Sequence, residues 1–333
     1  MSPLSKALQA EFVLRTDEIT IYRAELSETW KIGSIPQGGY ALGVALDACI
    51  KHQTTTPHKD LIHVTAHFLH ASNVGVVEVH IKTLKLGKGF TNLSADIIQQ
   101  GRTKITAHVI CGDLSPDAQA VHRALVPPSP YARRLPLPNH PSLATPDRIR
   151  PVWGFQNYLR WSRDKDILTR NSPDNAARTD SNTIGGGGVE WGAWCELTNE
   201  DDKIVTSSLP FFGDTFQNLP FLLPETEKAS QGASSSWFPT MTMTVEFKAR
   251  ISSSPNHSNR TVGLYCESHF LGDPQGRHNA RVEVWTAPSG IGQGKAIDGW
   301  RDEQYCIAVA DQMALTIPMD INRRQGTRDS AKL

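Results

Sequence analysis

Residues 30–50 read WKIGSIPQGGYALGVALDACI. Pro36, Gln37, Gly38 and Gly39 are turn-formers. After them Tyr40, Ala41, Leu42, Val44, Ala45, Leu46, Ala48 and Cys49 leave Asp47 as the one charge in the run. The pattern predicts a helix over about residues 40–51 with no polar face. Such a helix is buried on every side, and it is too short to span a bilayer. Something must wrap around it. Residues 19–25 alternate ahead of it, and period-two segments follow at 61–71, 76–86, 91–100 and 103–111, with Gly87-Lys88-Gly89 as a hairpin turn. The first unit therefore reads as a strand, an engulfed helix and four strands, and the wrapper as an antiparallel sheet.

Residues 126–151 lose all apolar period and are rich in proline, which predicts an extended linker at 127–150 lying along the surface. A second unit follows. Residues 153–161 are aromatic and predict its first strand, and residues 171–188, polar and ending in four glycines, predict a mobile loop. Strands are expected at 189–197, 262–270, 280–285 and 304–316, and a helix at 209–223 with Asp214 near its start. Along 241–251, Met241, Met243, Val245 and Phe247 share one face, and Thr242, Thr244, Glu246 and Lys248 the other. The two units repeat each other: residues 77–87 align with 262–272, 95–97 with 280–282, and 64–68 with 243–247. This organisation divides the chain into units at 1–126 and 151–320, the linker between them, and a polar tail at 321–333.

Composition narrows the function. A length of 333 residues suits two domains. Lys+Arg and Asp+Glu each number 34, so no net charge favours nucleic acid or a membrane surface. Cys49, Cys111, Cys195, Cys266 and Cys306 form no CxxC pair, a pattern of reduced thiols in an intracellular compartment. The first residues hold no apolar run of signal-peptide length, and no stretch approaches a membrane span. The sequons at Asn92, Asn256 and Asn259 then read as chance. The last three residues, Ala331-Lys332-Leu333, differ from the peroxisomal address Ser-Lys-Leu by one small-for-small change. The expectation is delivery to the peroxisome through an import receptor, with the cytoplasm as the alternative.

Five local motifs carry a family resemblance. Gln37-Gly38-Gly39-Tyr40 resembles the glycine pair that opens the central helix of the acyl-CoA thioesterase II-like, double-hotdog proteins, and His63-Val64-Thr65-Ala66-His67-Phe68-Leu69 the strand after that helix. Leu209-Pro210-Phe211-Phe212-Gly213-Asp214 resembles the segment ending in the family's catalytic Asp. Trp237-Phe238-Pro239-Thr240 resembles the strand start bearing its Thr, and Ile307-Ala308-Val309-Ala310-Asp311-Gln312 the last strand, bearing its Gln. The resemblance covers most of residues 15–318 and looks most like fungal members. It departs at Thr242, where relatives often carry an acid, and at Lys248, where they often carry His or Arg. It implies an α+β double hotdog, two antiparallel sheets each wrapped around a central helix.

The resemblance also implies thioester hydrolysis of an acyl-CoA by water, with no cofactor. Asp214 would accept a proton or hydrogen bond from the water, and Thr240 and Gln312 would hold it. Backbone N–H groups at the start of the helix near Asp214 would meet the oxyanion. Gly38, Gly39, Tyr40 and Thr242 are expected along the substrate's path. Each residue has a plainer reading: Asp214 as an N-cap, Thr240 as a strand-start residue, Gln312 as a satisfied core amide, and the glycines as backbone geometry. A rival is a specialised-metabolite enzyme on the same scaffold, releasing an acyl group from a carrier, dehydrating or cyclising. Another is a non-catalytic acyl-binding protein. On a strand His63 and His67 share a face while His70 points away, so no metal is expected. The glycines at 185–188 have no Lys-Ser/Thr behind them, and no Gly-x-Ser-x-Gly elbow occurs. Hotdog sheets tend to pair at their edges, so a homo-oligomer is an expectation by analogy.

Overall fold

The structure, a computed structural model, describes residues 2–115, 125–227, 236–251, 254–272 and 275–328. The tripeptide Ala331-Lys332-Leu333 lies outside the described residues. The chain starts with a short helix α1 (Leu4–Ala7), strands β1 (Glu11–Arg15) and β2 (Thr20–Leu26), and a tiny hairpin of β3 (Lys31–Ile32) and β4 (Ile35–Pro36). Helix α2 (Gly38–His52) follows, then β5 (Asp60–Phe68), β6 (Gly75–Leu86), β7 (Thr91–Gln99) and β8 (Arg102–Gly112). The second half holds β9 (Leu159–Arg163), α3 (Lys165–Thr169), β10 (Val189–Leu197), α4 (Leu209–Gly213), β11 (Ser236–Trp237) and β12 (Thr240–Phe247). It ends with β13 (Thr261–Ser268), β14 (Arg277–Thr286), β15 (Cys306–Leu315), β16 (Ile317–Pro318) and α5 (Met319–Arg328).

The large strands form one antiparallel sheet of twelve, in the order β1-β2-β6-β7-β8-β5-β12-β15-β14-β13-β10-β9. The expected two sheets are thus continuous. They join where β5 pairs with β12, with Val64 opposite Val245. Strand order repeats on either side of that seam, β2-β6-β7-β8-β5 against β10-β13-β14-β15-β12. The repeated segments in the sequence fall on corresponding strands of this order.

Helix α2 is swallowed as its pattern requires, with residues from Gly39 to Leu46 and then Ala48 and Cys49 buried. Its one acid, Asp47, accepts from the Ala10 N–H (2.9 Å) and pairs with Lys51 (2.8 Å), fastening the N-terminal segment to the helix. Glycines let α2 approach the second half closely. A Cβ on Gly39 would lie 2.1 Å from the Pro210 carbonyl oxygen, and one on Gly43 2.4 Å from that of Ser207.

Several expectations fail for local reasons. The helix expected at 209–223 is five residues long, and Asp214 stands at its C-terminal end. Gly213, and then Asn218 ahead of Pro220, oppose continuation. Residues 153–158 turn instead of extending, and the strand is Leu159–Arg163. The expected polar tail begins as α5, anchored by the fully buried Asn322, which accepts from the Ser34 N–H (3.0 Å) and donates to the Ile32 carbonyl (3.2 Å). Met241 leaves the face of Met243 because the register shifts between Thr240 and Thr242. Strand β1 went unpredicted, since all five of its residues are exposed and carry no alternation of burial.

Candidate active site

Asp214, Thr240 and Gln312 are far apart in sequence and come from the end of α4, the start of β12 and the middle of β15. They meet at one point. Thr240 Oγ1 lies 3.2 Å from Asp214 Oδ1 and 3.2 Å from Gln312 Oε1. Gln312 Nε2 donates to the Gly213 carbonyl at 2.7 Å, which turns its oxygen toward Thr240. A hydroxyl carries one proton, so Thr240 can donate to only one of its two acceptors. The trio therefore has room for one further O–H donor.

The helix terminus next to Asp214 is the start of α2 and not, as expected, of its own helix. The Gly39 N–H donates to Asp214 Oδ2 at 2.9 Å. Gln37 caps α2, accepting from the Tyr40 N–H (2.7 Å), and its Nε2 reaches the Phe211 carbonyl (3.1 Å) and Thr215 Oγ1 (3.2 Å). This buried amide ties the start of α2 to α4, a role its turn-like sequence context did not suggest. The Gly38 N–H, in the first turn of α2, makes no hydrogen bond among the described residues.

Burial pushes the Asp214 carboxyl up to about 6, while hydrogen bonds from the Gly39 N–H, Thr240 and Gln312 pull it the other way. A carboxylate with that value sits near the pH at which it can take and give a proton.

The trio opens into a cavity of about 530 Å³. Its polar end holds Gly38, Asp214, Thr240 and Gln312, and its apolar wall includes Phe68, Phe216, Trp237, Phe238 and Ile317. Met319 and Gln325 of α5 also face it. That volume suits a ligand of medium size with a few polar anchors. Of the four expected substrate positions Gly38 lines the cavity, whereas Gly39, its N–H held by Asp214, Tyr40 and Thr242 do not. Tyr40 is fully buried, its hydroxyl donating to the Ala7 carbonyl (3.1 Å) and accepting from the Ser27 N–H (3.0 Å). Thr242 sits in the sheet opposite Met313 and His67 and does not line the cavity.

Among the described residues no three His, Cys, Asp or Glu side chains group as a metal site, and no helix is long and apolar enough to cross a membrane. All five cysteines are unpaired.

An antiparallel sheet wrapped around a buried helix is the hotdog arrangement, here with an acid, a hydroxyl and an amide meeting at the helix start. Residues 26–112 match the family model of the acyl-CoA thioesterase N-terminal domain. The fold of the whole chain is similar to a putative thioesterase II from Thermobifida fusca YX, at 19% identity over 95% of this chain and 98% of that one, with a TM-score of 0.66. It is also similar to an acyl-CoA thioesterase II from Mycobacterium marinum, at 12% identity over 95% and 98%, with a TM-score of 0.63. A hotdog-fold protein of unknown function from Alicyclobacillus acidocaldarius gives 12% identity over 94% and 97%, with a TM-score of 0.62. No curated protein sequence matches.

Proposed function

We propose that this protein hydrolyses an acyl-CoA to the free acid and CoA by direct attack of water. The observation that carries the reading is the convergence of Asp214, Thr240 and Gln312 against the start of α2, at the polar end of a cavity with an apolar wall. The attacking water supplies the O–H donor that the trio has room for. Thr240 and Gln312 orient it, and Asp214 takes its proton as the bond to the thioester carbon forms. The Gly38 N–H meets the developing oxyanion, helped by the positive end of the α2 dipole. The acyl chain occupies the apolar part of the cavity. The water's hydroxyl is retained in the acid, and CoA leaves as its thiolate and takes up a proton. No cofactor enters. The repeat of strand order across the seam supports describing the frame as two fused hotdog units.

A panel of acyl-CoAs assayed with a free-thiol reagent tests this. Turnover that disappears in Asp214→Asn is the expected result. Tight acyl-CoA binding without thiol release marks an acyl-binding protein instead, and consumption of a carrier-bound acyl group alone marks the carrier enzyme. Peroxisomal delivery is proposed from Ala331-Lys332-Leu333. A fluorescent protein fused N-terminally should be punctate, and removal of the three residues should make it diffuse.

A further inference from the structure

A second, smaller cavity of about 210 Å³ adjoins the first, and Arg150, Trp153 and Asn218 line both. Its other walls are Arg148, Trp161, Arg163 and Gln217. Three guanidinium groups and two indoles thus face a space whose lining includes no acid. Arg163 is neutralised by Asp147, through Nε at 3.1 Å and Nη2 at 3.2 Å. The other two arginines have no carboxylate partner among the described residues. Arg150 is half-buried and stacked on the Phe221 ring, its Cζ 4.1 Å from the centroid. Burial lowers its affinity for the proton, with no carboxylate among the described residues to offset it. Such a guanidinium is an incomplete ion pair, which a phosphate completes with bidentate geometry.

The segment that carries it is well held. Asp147 bridges Trp161 of β9, Trp153 bridges Ile32 of β3, and the Trp153 N–H donates to the Arg150 carbonyl at 3.0 Å. Trp153 and Trp161 pack edge to face at 4.9 Å, offering apolar surface beside the charges. Arg102, the other arginine of the main cavity, is exposed at the start of β8, without that enclosure.

We propose that this basic annex is the subsite for the phosphate groups of the CoA end of the substrate, with the thioester carbon at Asp214. The assignment rests on the hydrolase reading for its ligand, but it is tested without turnover. Free CoA is titrated calorimetrically into the full chain, and kcat/KM is compared for one acyl group carried on CoA and on N-acetylcysteamine, which lacks all phosphates. The double variant Arg148→Gln/Arg150→Gln should weaken CoA binding about tenfold to a hundredfold and lower the CoA-to-cysteamine ratio equally. Arg150→Lys, which keeps the charge and loses the fork, should recover part of both. Wild-type CoA affinity and ratio in the double variant would overturn the proposal, as would a loss produced by Arg102→Ala alone. Failure of CoA to bind, with a carrier-bound acyl group consumed, would overturn the CoA assignment in favour of a phosphopantetheine arm. If the wild type turns over no thioester yet loses CoA affinity in the double variant, the subsite stands and the hydrolase reading falls.

Discussion

The two halves of the sheet share a strand order and differ in what covers them. Strand β7 alternates strictly between buried and partly open positions, so one face meets the helix and the other meets solvent. Its counterpart β14 is buried on both faces over its second half, residues 282–286, and the neighbouring β13 over most of its length. The connector makes the difference. Leu135 and Leu137 are fully buried against Trp194, Tyr265 and Trp285 on the outer face of the second half, forming a separate small core. The central helices differ too, fifteen residues in α2 against five in α4. A long helix is a core element. A truncated one leaves the residue that follows it, Asp214, free to turn back against the start of the long one. Repetition of a unit thus supplied the frame, and the defect in one copy made room for the site.

The largest expected effect tests that defect. Asp214→Asn should lower kcat by about a hundredfold to ten-thousandfold, while Asp47→Asn, at the lone acid of the intact helix, should keep turnover. Stopped-flow or endpoint thiol release measures both. The second test concerns the covered face: Leu135→Ala should cost about 2–5 kcal/mol, whereas Leu86→Ala, 67% exposed on the uncovered half, should stay within about 0.5 kcal/mol by urea unfolding.

The third test is pH. The folded carboxyl of Asp214 is raised from 3.8 to about 6, so the folded protein holds a proton that the unfolded chain releases. Stability should therefore fall as pH rises from about 4 to about 6, by on the order of 2 kcal/mol. Asp214→Asn should remove this loss and be the more stable protein at neutral pH. Activity has the opposite sign: kcat/KM should drop as pH falls through about 6, because the protonated acid cannot accept from water. A pH profile that is flat between 4 and 7 in both readouts would contradict it. The last test sharpens the contact between the two helices. Gly39→Ala should lose about 1–3 kcal/mol, since its Cβ would strike the Pro210 carbonyl. Gly38→Ala, whose nearest neighbours are 3.2 Å and 3.3 Å away at side-chain atoms, should lose less.

Much of this was written locally. The engulfed helix was legible because Tyr40 to Cys49 carry no polar face, β6 and β7 because their apolar positions alternate, and β10 and β13 because theirs form short runs. The three site residues were legible through resemblance, since neither an Asp before a proline-rich segment nor a Gln in an apolar strand declares a function. The short α4 was missed because its apolar content outweighed Gly213 and Pro220 in the reading. Arg148 and Arg150 were missed because a proline-rich connector without period carries no sign of what its side chains enclose.

The amino-acid order alone determined the elements and their succession, because apolar period and turn residues act over a few neighbours. Tertiary structure decided the joining of two sheets into one, the burial of the connector and the meeting of Asp214 with the start of α2. Those depend on backbone approach between residues some 175 positions apart, which side-chain-free glycines permit and no local pattern encodes.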